Sequence, residues 1–244
     1  MMKKENLMKK KLLWLGFTIL LAGCSSAPAP KVPTPAPSAM NEPVESEEPS
    51  EPVFEPESLA PATSTISIQP FMQENSYYCV PACVQSVLAL HGVSLSQSEL
   101  ASEMRTDPVT GTEYVDLARV VNRYAFGVEQ PGTGEPGYRV QTVAIHESDP
   151  NAKALFFERI QNDLKTNDPV FCAIDRQGVF SELSSANHMI LVIGCQTSPD
   201  TNEIESFTLF DPYPYETHPE AIFTVSPDLL WKSLVQNVEP AYIW

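Results

Sequence analysis

Between Ser25 and Ser64 the chain places ten of its 23 prolines and none of its 10 glycines. Proline, alanine, serine and glutamate dominate the stretch, with Glu42, Glu45, Glu47, Glu48, Glu51, Glu55 and Glu57 following its proline-rich start. A segment of that composition cannot bury enough apolar surface to offset the entropy lost in ordering its backbone. Proline bias and like-charge repulsion instead favour an extended, polyproline-like spacer, at up to about 3.1 Å per residue. A packed core must therefore come from residues 65–244, which are 180 of the 244 residues. That length suits one domain. With 43% hydrophobic residues the chain has material for a core.

The residues ahead of the spacer read as an address rather than as structure. Residues 1–11 are lysine-rich, residues 12–22 form an apolar run, and the run closes on Leu21-Ala22-Gly23-Cys24. This is the charged, apolar and small-residue order of a secretory signal, and the run is too short to cross a bilayer as a stable helix. The Leu-Ala-Gly-Cys ending resembles a bacterial lipobox. That resemblance implies removal of residues 1–23 and attachment of diacylglycerol to Cys24. Acyl chains bury methylenes at about 0.8 kcal/mol each, so the expectation is a protein held outside the cytoplasm at the cell membrane by lipid. The expected organisation is a signal peptide over 1–23, a lipidated cysteine and Pro/Glu-rich linker over 24–64, and a folded domain over 65–244.

Charge narrows the partners. The net charge is −16, and residues 1–23 carry five lysines and one glutamate, which leaves −20 on the remainder. Such a chain lacks the basic face that displaces counterions from phosphates, so a nucleic-acid partner is excluded. A polybasic membrane-surface role is excluded on the same ground.

Within the domain the texture changes halfway. Residues 78–91 predict a buried helix stopped by Gly92, since Val80, Ala82, Cys83, Val84, Val87, Leu88 and Leu90 are small or aliphatic. Ser96 and Glu99 form a capping-box pattern that opens a short helix to about Met104. Residues 112–124 and 151–165 carry apolar side chains at helical spacing. From there the pattern becomes short Val-, Ile-, Phe- and Leu-rich runs at 169–175, 188–195 and 206–211, read as neighbouring antiparallel strands. A further strand at 223–225, a helix at 227–235 and a closing strand at 241–244 complete the reading. Helices first and strands second is an α+β arrangement.

Four cysteines fall in this domain: Cys79, Cys83, Cys172 and Cys195. An even count outside the cytoplasm allows two disulfides, and a bond between Cys172 and Cys195 on neighbouring strands, or between Cys79 and Cys83 one helical turn apart, is open. The spacings are not those of a disulfide scaffold, and no second His or Cys pair stands at zinc-ligand spacing. Cys79 stands apart because it opens a helix, where unpaired N–H groups and the dipole favour a thiolate. Gln73, six residues upstream, could donate to an oxyanion beside the Cys79 N–H. A thiol nucleophile needs a base, and the base an orienting acceptor. His188 opens one candidate strand and Asp211 closes the next, so antiparallel pairing would make them neighbours.

At these residues the sequence resembles a known family. Gln73-Glu74-Asn75-Ser76-Tyr77-Tyr78-Cys79-Val80-Pro81-Ala82 is similar to the Gln–x5–Cys–x–Pro–Ala signature of papain-like peptidases, and more narrowly to the bacteriocin-processing (double-glycine) cysteine peptidases and their free-standing relatives. Gly111-Thr112, Pro169-Val170-Phe171, His188-Met189-Ile190-Leu191-Val192-Ile193-Gly194 and Leu209-Phe210-Asp211-Pro212 come after it in the same order. The resemblance covers roughly residues 70–240. It implies a papain-like α+β fold, N-terminal helices on an antiparallel sheet, and hydrolysis of peptide or amide bonds without a cofactor. By the same resemblance Cys79 is the nucleophile, His188 the base and acid, Asp211 the orienter and Gln73 the oxyanion donor. The sequence departs at Val80, where the family commonly has glycine. No ATP-binding or membrane-spanning segment is found after the domain, so the leader-peptide substrate of transporter-linked members is not carried over.

The expected partner is a peptide or protein substrate outside the cytoplasm, together with the membrane reached through Cys24. Two other classes stay open. One is a cell-wall amidase or endopeptidase, or a transglutaminase-like acyltransferase. The other is a non-catalytic binding module on the same fold.

Overall fold

The alternating aliphatic runs of the second half assemble into one antiparallel sheet whose central strands are buried on both faces. The computed structural model describes residues 62–213, 215 and 219–244. Cys24, the signal peptide and the linker as far as residue 61 lie outside the described residues. The elements in chain order are β1 (Ala62–Thr65), α1 (Cys79–Leu90), α2 (Gln97–Glu103), α3 (Tyr114–Phe126), β2 (Val140–Thr142), α4 (Pro150–Lys165), β3 (Val170–Asp175), α5 (Arg176–Val179), β4 (Asn187–Thr197), β5 (Ile204–Phe210), β6 (Ile222–Val225), α6 (Pro227–Gln236) and β7 (Ala241–Ile243). The strand order is β2-β7-β3-β4-β5-β6, and β1 pairs with the far end of β4.

Period-two alternation divides the strands between two cores. Phe171 and Ala173 of β3, with Met189, Leu191 and Ile193 of β4, meet α1, α2 and α3 through Val84, Val87, Leu88, Leu100, Leu117 and Val121. Val170, Cys172 and Ile174 of β3, with Ile190 and Val192 of β4, face the other way. They pack on Phe156, Ile160 and Leu164 of α4 and on Leu230 and Leu234 of α6. The α+β layout with an antiparallel sheet is as expected, and its helices cover both faces of the sheet.

Local chemistry sets the helix ends. Ser96 and Glu99 make the reciprocal capping box at α2. Asp149 and Ser226 cap α4 and α6, each with Pro at the first helical position. After α1, Gly92 adopts φ +71°, a conformation cheap only for glycine. The sheet begins three residues before the expected domain start. Ala62, Thr63 and Ser64 pair with Thr197, Gln196 and Cys195, so the linker ends earlier than its composition indicates. All four domain cysteines are free. Cys172 pairs in register with Ile190, five positions from Cys195 along β4, so the disulfide left open between them is not formed.

Candidate active site

The helix that carries Cys79 begins without a side-chain cap and without an acidic residue in its first turn. Pro81 at the third helical position has no N–H, so the unpaired donors at this end are those of Cys79 and Val80. The Val80 N–H and the Met189 N–H of β4 both hydrogen-bond the Cys79 sulfur, and so does the His188 side chain. Burial pushes the Cys79 thiol up; the hydrogen bond to His188, the imidazolium charge and the two backbone N–H groups outweigh it, and the thiol titrates below its ordinary value.

Strand register delivers the next two groups. β4 and β5 pair antiparallel with Leu191 opposite Phe210, so Asp211 falls one step beyond the last pair and beside the start of β4. His188 Nε2 and Asp211 Oδ1 are 2.7 Å apart. With Nε2 on the carboxylate, Nδ1 is left for the sulfur. Both side chains are buried, His188 at 7% exposure and Asp211 at 2%. Burial pulls the imidazole down, but the Asp211 charge and hydrogen bond, reinforced by Cys79, push it up to about 10. Asp211 Oδ1 also accepts from the Tyr213 N–H at 2.8 Å, which fixes the carboxylate on its own loop. Its Oδ2 is buried, with no hydrogen-bond partner among the described residues.

Gln73 stands in the loop entering α1. Its backbone N–H donates to the Pro212 carbonyl at 2.8 Å, tying that loop to the segment carrying Asp211. Its side-chain Nε2 donates to the Asn75 carbonyl at 2.6 Å, and its Oε1 is buried without a partner among the described residues. The structure thus brings Cys79, His188 and Asp211 into one hydrogen-bonded line, while the Gln73 amide is engaged with its own loop. One of its two N–H groups remains.

A cleft of about 350 Å³ opens over the sulfur. It is lined by Ser76, Tyr77 and Val80 around the start of α1, by Asn187, His188 and Met189 of β4, and by the segment Pro108 to Thr112 with Tyr114. Of the 108–114 segment only Gly111-Thr112 was singled out in the sequence, as a piece of the family resemblance; Pro108, Val109, Thr110 and Tyr114 were not read as cleft residues. Asp107-Pro108-Val109-Thr110-Gly111 carries turn chemistry, but nothing in its spacing places it beside Cys79. Val80, the departure from the family pattern, is buried against the helical core and still borders the cleft. Tyr114 donates to the Glu239 carbonyl at 3.1 Å, and Asn187 Nδ2 donates to the Tyr114 hydroxyl at 3.2 Å. Among the described residues no three His, Cys, Asp or Glu side chains converge as metal ligands would.

A thiol lowered at a helix start, an imidazole raised beside it and a carboxylate behind the ring are the parts of a thiol acyl-transfer centre. Residues 65–231 match the family model of the Peptidase_C39 like family, and the chain belongs to that family. It is a cysteine-type peptidase, a hydrolase whose substrate is a peptide or protein. Among solved structures it is similar to the peptidase domain of Streptococcus ComA, a bifunctional ABC transporter of a quorum-sensing pathway (15% identity, 74% of this chain and 96% of that chain, TM-score 0.43). It is also similar to a double-glycine-motif protease from an AMS/PCAT transporter in complex with its leader peptide (11% identity, 74% and 91%, TM-score 0.42). A third is the stem bromelain precursor (13% identity, 72% and 66%, TM-score 0.45). No curated protein matches the chain.

Proposed function

We propose that the domain hydrolyses peptide bonds through Cys79, His188 and Asp211, with Gln73 and the Cys79 N–H holding the oxyanion. The observation that carries this reading is the continuous line from the Cys79 sulfur through the His188 ring to Asp211, 2.7 Å from Nε2. The Cys79 thiolate attacks the scissile carbonyl carbon, and the negative charge that moves onto its oxygen meets the helix-start N–H and the second Gln73 N–H. His188 gives its Nδ1 proton to the leaving amine nitrogen as the C–N bond breaks, and a thioester on Cys79 remains. Water then attacks that carbonyl, His188 takes the water proton, and the C–S bond breaks to restore the thiolate and release the carboxylate product. Asp211 stays ionised and holds the ring in register throughout.

Cys79→Ala should abolish turnover of a peptide library while leaving the folded state intact by circular dichroism. Turnover that survives in this variant overturns the assignment. The same reading places the enzyme at the outer face of the cell membrane by lipid on Cys24. The support is the lysine-rich start, the short apolar run and the Leu21-Ala22-Gly23-Cys24 ending. Cys24→Ala should move the protein from the detergent phase to the aqueous phase in detergent partitioning of cells. Unchanged partitioning counts against the anchor.

A further inference from the structure

One segment lining the cleft is stiffer and more apolar than an exposed turn needs to be. Asp107 and Gly111 exchange both backbone hydrogen bonds, at 2.7 and 2.9 Å, which closes a short hairpin. Inside it, Asp107 Oδ1 accepts from the N–H groups of Val109 at 2.7 Å and Thr110 at 3.0 Å. Those bonds hold its carboxyl below the usual range. Thr106 and Thr112 hydroxyls are 2.7 Å apart across the neck. At the base, Arg105, at φ +56°, grips the buried Asp116 with two nitrogens. Gly111 takes φ +81°, open to glycine at no steric cost. The turn is therefore fixed at tip, neck and base.

At the tip of this fixed turn stands Val109, 92% exposed, the most exposed large apolar residue among those described. A single exposed valine needs no explanation by itself. This one lines the cleft that holds Cys79, together with Pro108, Tyr77 and Val80. A mobile apolar tip would lose entropy on every binding event, whereas a pre-ordered one has little left to lose. Covering its side chain with an apolar ligand group gains roughly 25 cal/mol per Å² of area removed from water. At about 350 Å³ the cleft is at the small end of ligand sites, so it grips few residues and each contact weighs more.

We infer that Val109 is a specificity-determining residue: productive substrates lay an apolar side chain against it, at one fixed position flanking the scissile bond. This inference rests on the peptidase reading above and deepens it. The Asp107 carboxylate stays ionised and is held on the backbone of its own turn, so the apolar contact that the tip offers is the Val109 side chain.

The test compares a peptide panel in which each position around the cleaved bond is leucine or serine. It is run with the wild type, Val109→Ser and Val109→Leu, alongside the rate of Cys79 alkylation by iodoacetamide. The wild type should prefer leucine over serine at one position by about tenfold or more in kcat/KM, the range one apolar pocket supplies. Val109→Ser should cut that preference at least fivefold, through KM rather than kcat, while iodoacetamide labels Cys79 at the wild-type rate. Val109→Leu should restore it. An unchanged leucine preference in Val109→Ser, or an equal fall in kcat for both peptides, overturns the role of Val109 and leaves the peptidase reading standing. A wild type that alkylates normally yet cleaves no peptide overturns that reading, and this inference with it.

Discussion

The Cys79 sulfur is acted on by two opposing influences, and under the proposed mechanism the balance between them sets the pH range of activity. Burial disfavours its anion; the His188 imidazolium and two backbone N–H groups favour it. His188 shows the reverse contest, with burial favouring the neutral ring and Asp211 with Cys79 favouring the cation. The outcome is a thiol that titrates below the ordinary 9.0 and an imidazole that titrates near 10. An ion pair therefore exists between those two limits. As pH rises through the lowered Cys79 value, thiolate forms and kcat/KM should climb to a plateau. As pH passes about 10, the imidazolium that in the proposed mechanism protonates the leaving amine is lost, and the rate should fall. A kcat/KM profile from pH 4 to 11 checks this. A rate still rising through pH 9 as for a free thiol, or falling at pH 7 as an ordinary imidazole would dictate, contradicts the ion pair. At this scale the residues themselves were readable because chemistry selects the types: a cysteine at a helix start, a histidine opening a strand, an aspartate closing the next. What was not readable is the conformation of the Gln73 amide. The sequence offers it to the oxyanion, and the local loop engages it through the Asn75 carbonyl.

The elements that were legible are those whose own periodicity determines them. α1 and α4 carry apolar residues at helical spacing, and β3 and β4 are aliphatic runs bounded by turns, so each was expected within a residue or two of its bounds. β1, β2 and α5 were missed, for a common reason. They span four, three and four residues, too few to carry a periodic pattern of their own; β1 and β2 take their form from the strand each pairs with, and α5 is one turn capped by Asp175. β1 is the clearest case. Its Ala62-Thr63-Ser64 reads as the tail of the linker, and it becomes strand only because β4 offers a partner, with Gly194 opposite Thr65. A side-chain Cβ on Gly194 would stand 2.7 Å from Thr65 Oγ1 and 2.8 Å from the Ser64 carbonyl oxygen. The hydroxyl can rotate away; the backbone oxygen cannot without moving the strand. Gly194→Ala should therefore lift β1 off β4 and destabilise the domain by about 1–3 kcal/mol, read as a lower urea midpoint. It should also speed amide exchange at Ile66, whose N–H donates to the Ile193 carbonyl at 2.7 Å. An unchanged midpoint with Ile66 still protected would mean that the strand accommodates the methyl group.

Seen across the whole molecule, the cysteines report how the two cores and the cleft divide the fold. Cys83 lies in the core beneath α1, Cys172 and Cys195 in the core on the opposite face, and Cys79 at the edge where the cleft opens. Burial pushes the Cys83 thiol well up, with the nearby Cys79 and Asp211 charges adding to it, and Cys83 donates to the Met189 carbonyl at 3.6 Å. Burial raises the Cys172 and Cys195 thiols as well. A neutral alkylator meets a thiolate only where the anion is stabilised and solvent can enter, and among these four that describes Cys79 alone. The other three become reactive through opening of the core that covers them, an event whose free energy approaches that of global unfolding for central strands. With limiting iodoacetamide at pH 7.5, peptide mapping by mass spectrometry should find label on Cys79 first. Cys83, Cys172 and Cys195 should be labelled together and only on addition of urea near the unfolding midpoint. His188→Ala should slow the Cys79 reaction toward that of an ordinary thiol without exposing the other three, because it removes the cation and leaves both cores packed. Label reaching Cys172 or Cys195 as quickly as Cys79 in the native protein would mean that the α4–α6 face of the sheet opens far more readily than its packing indicates.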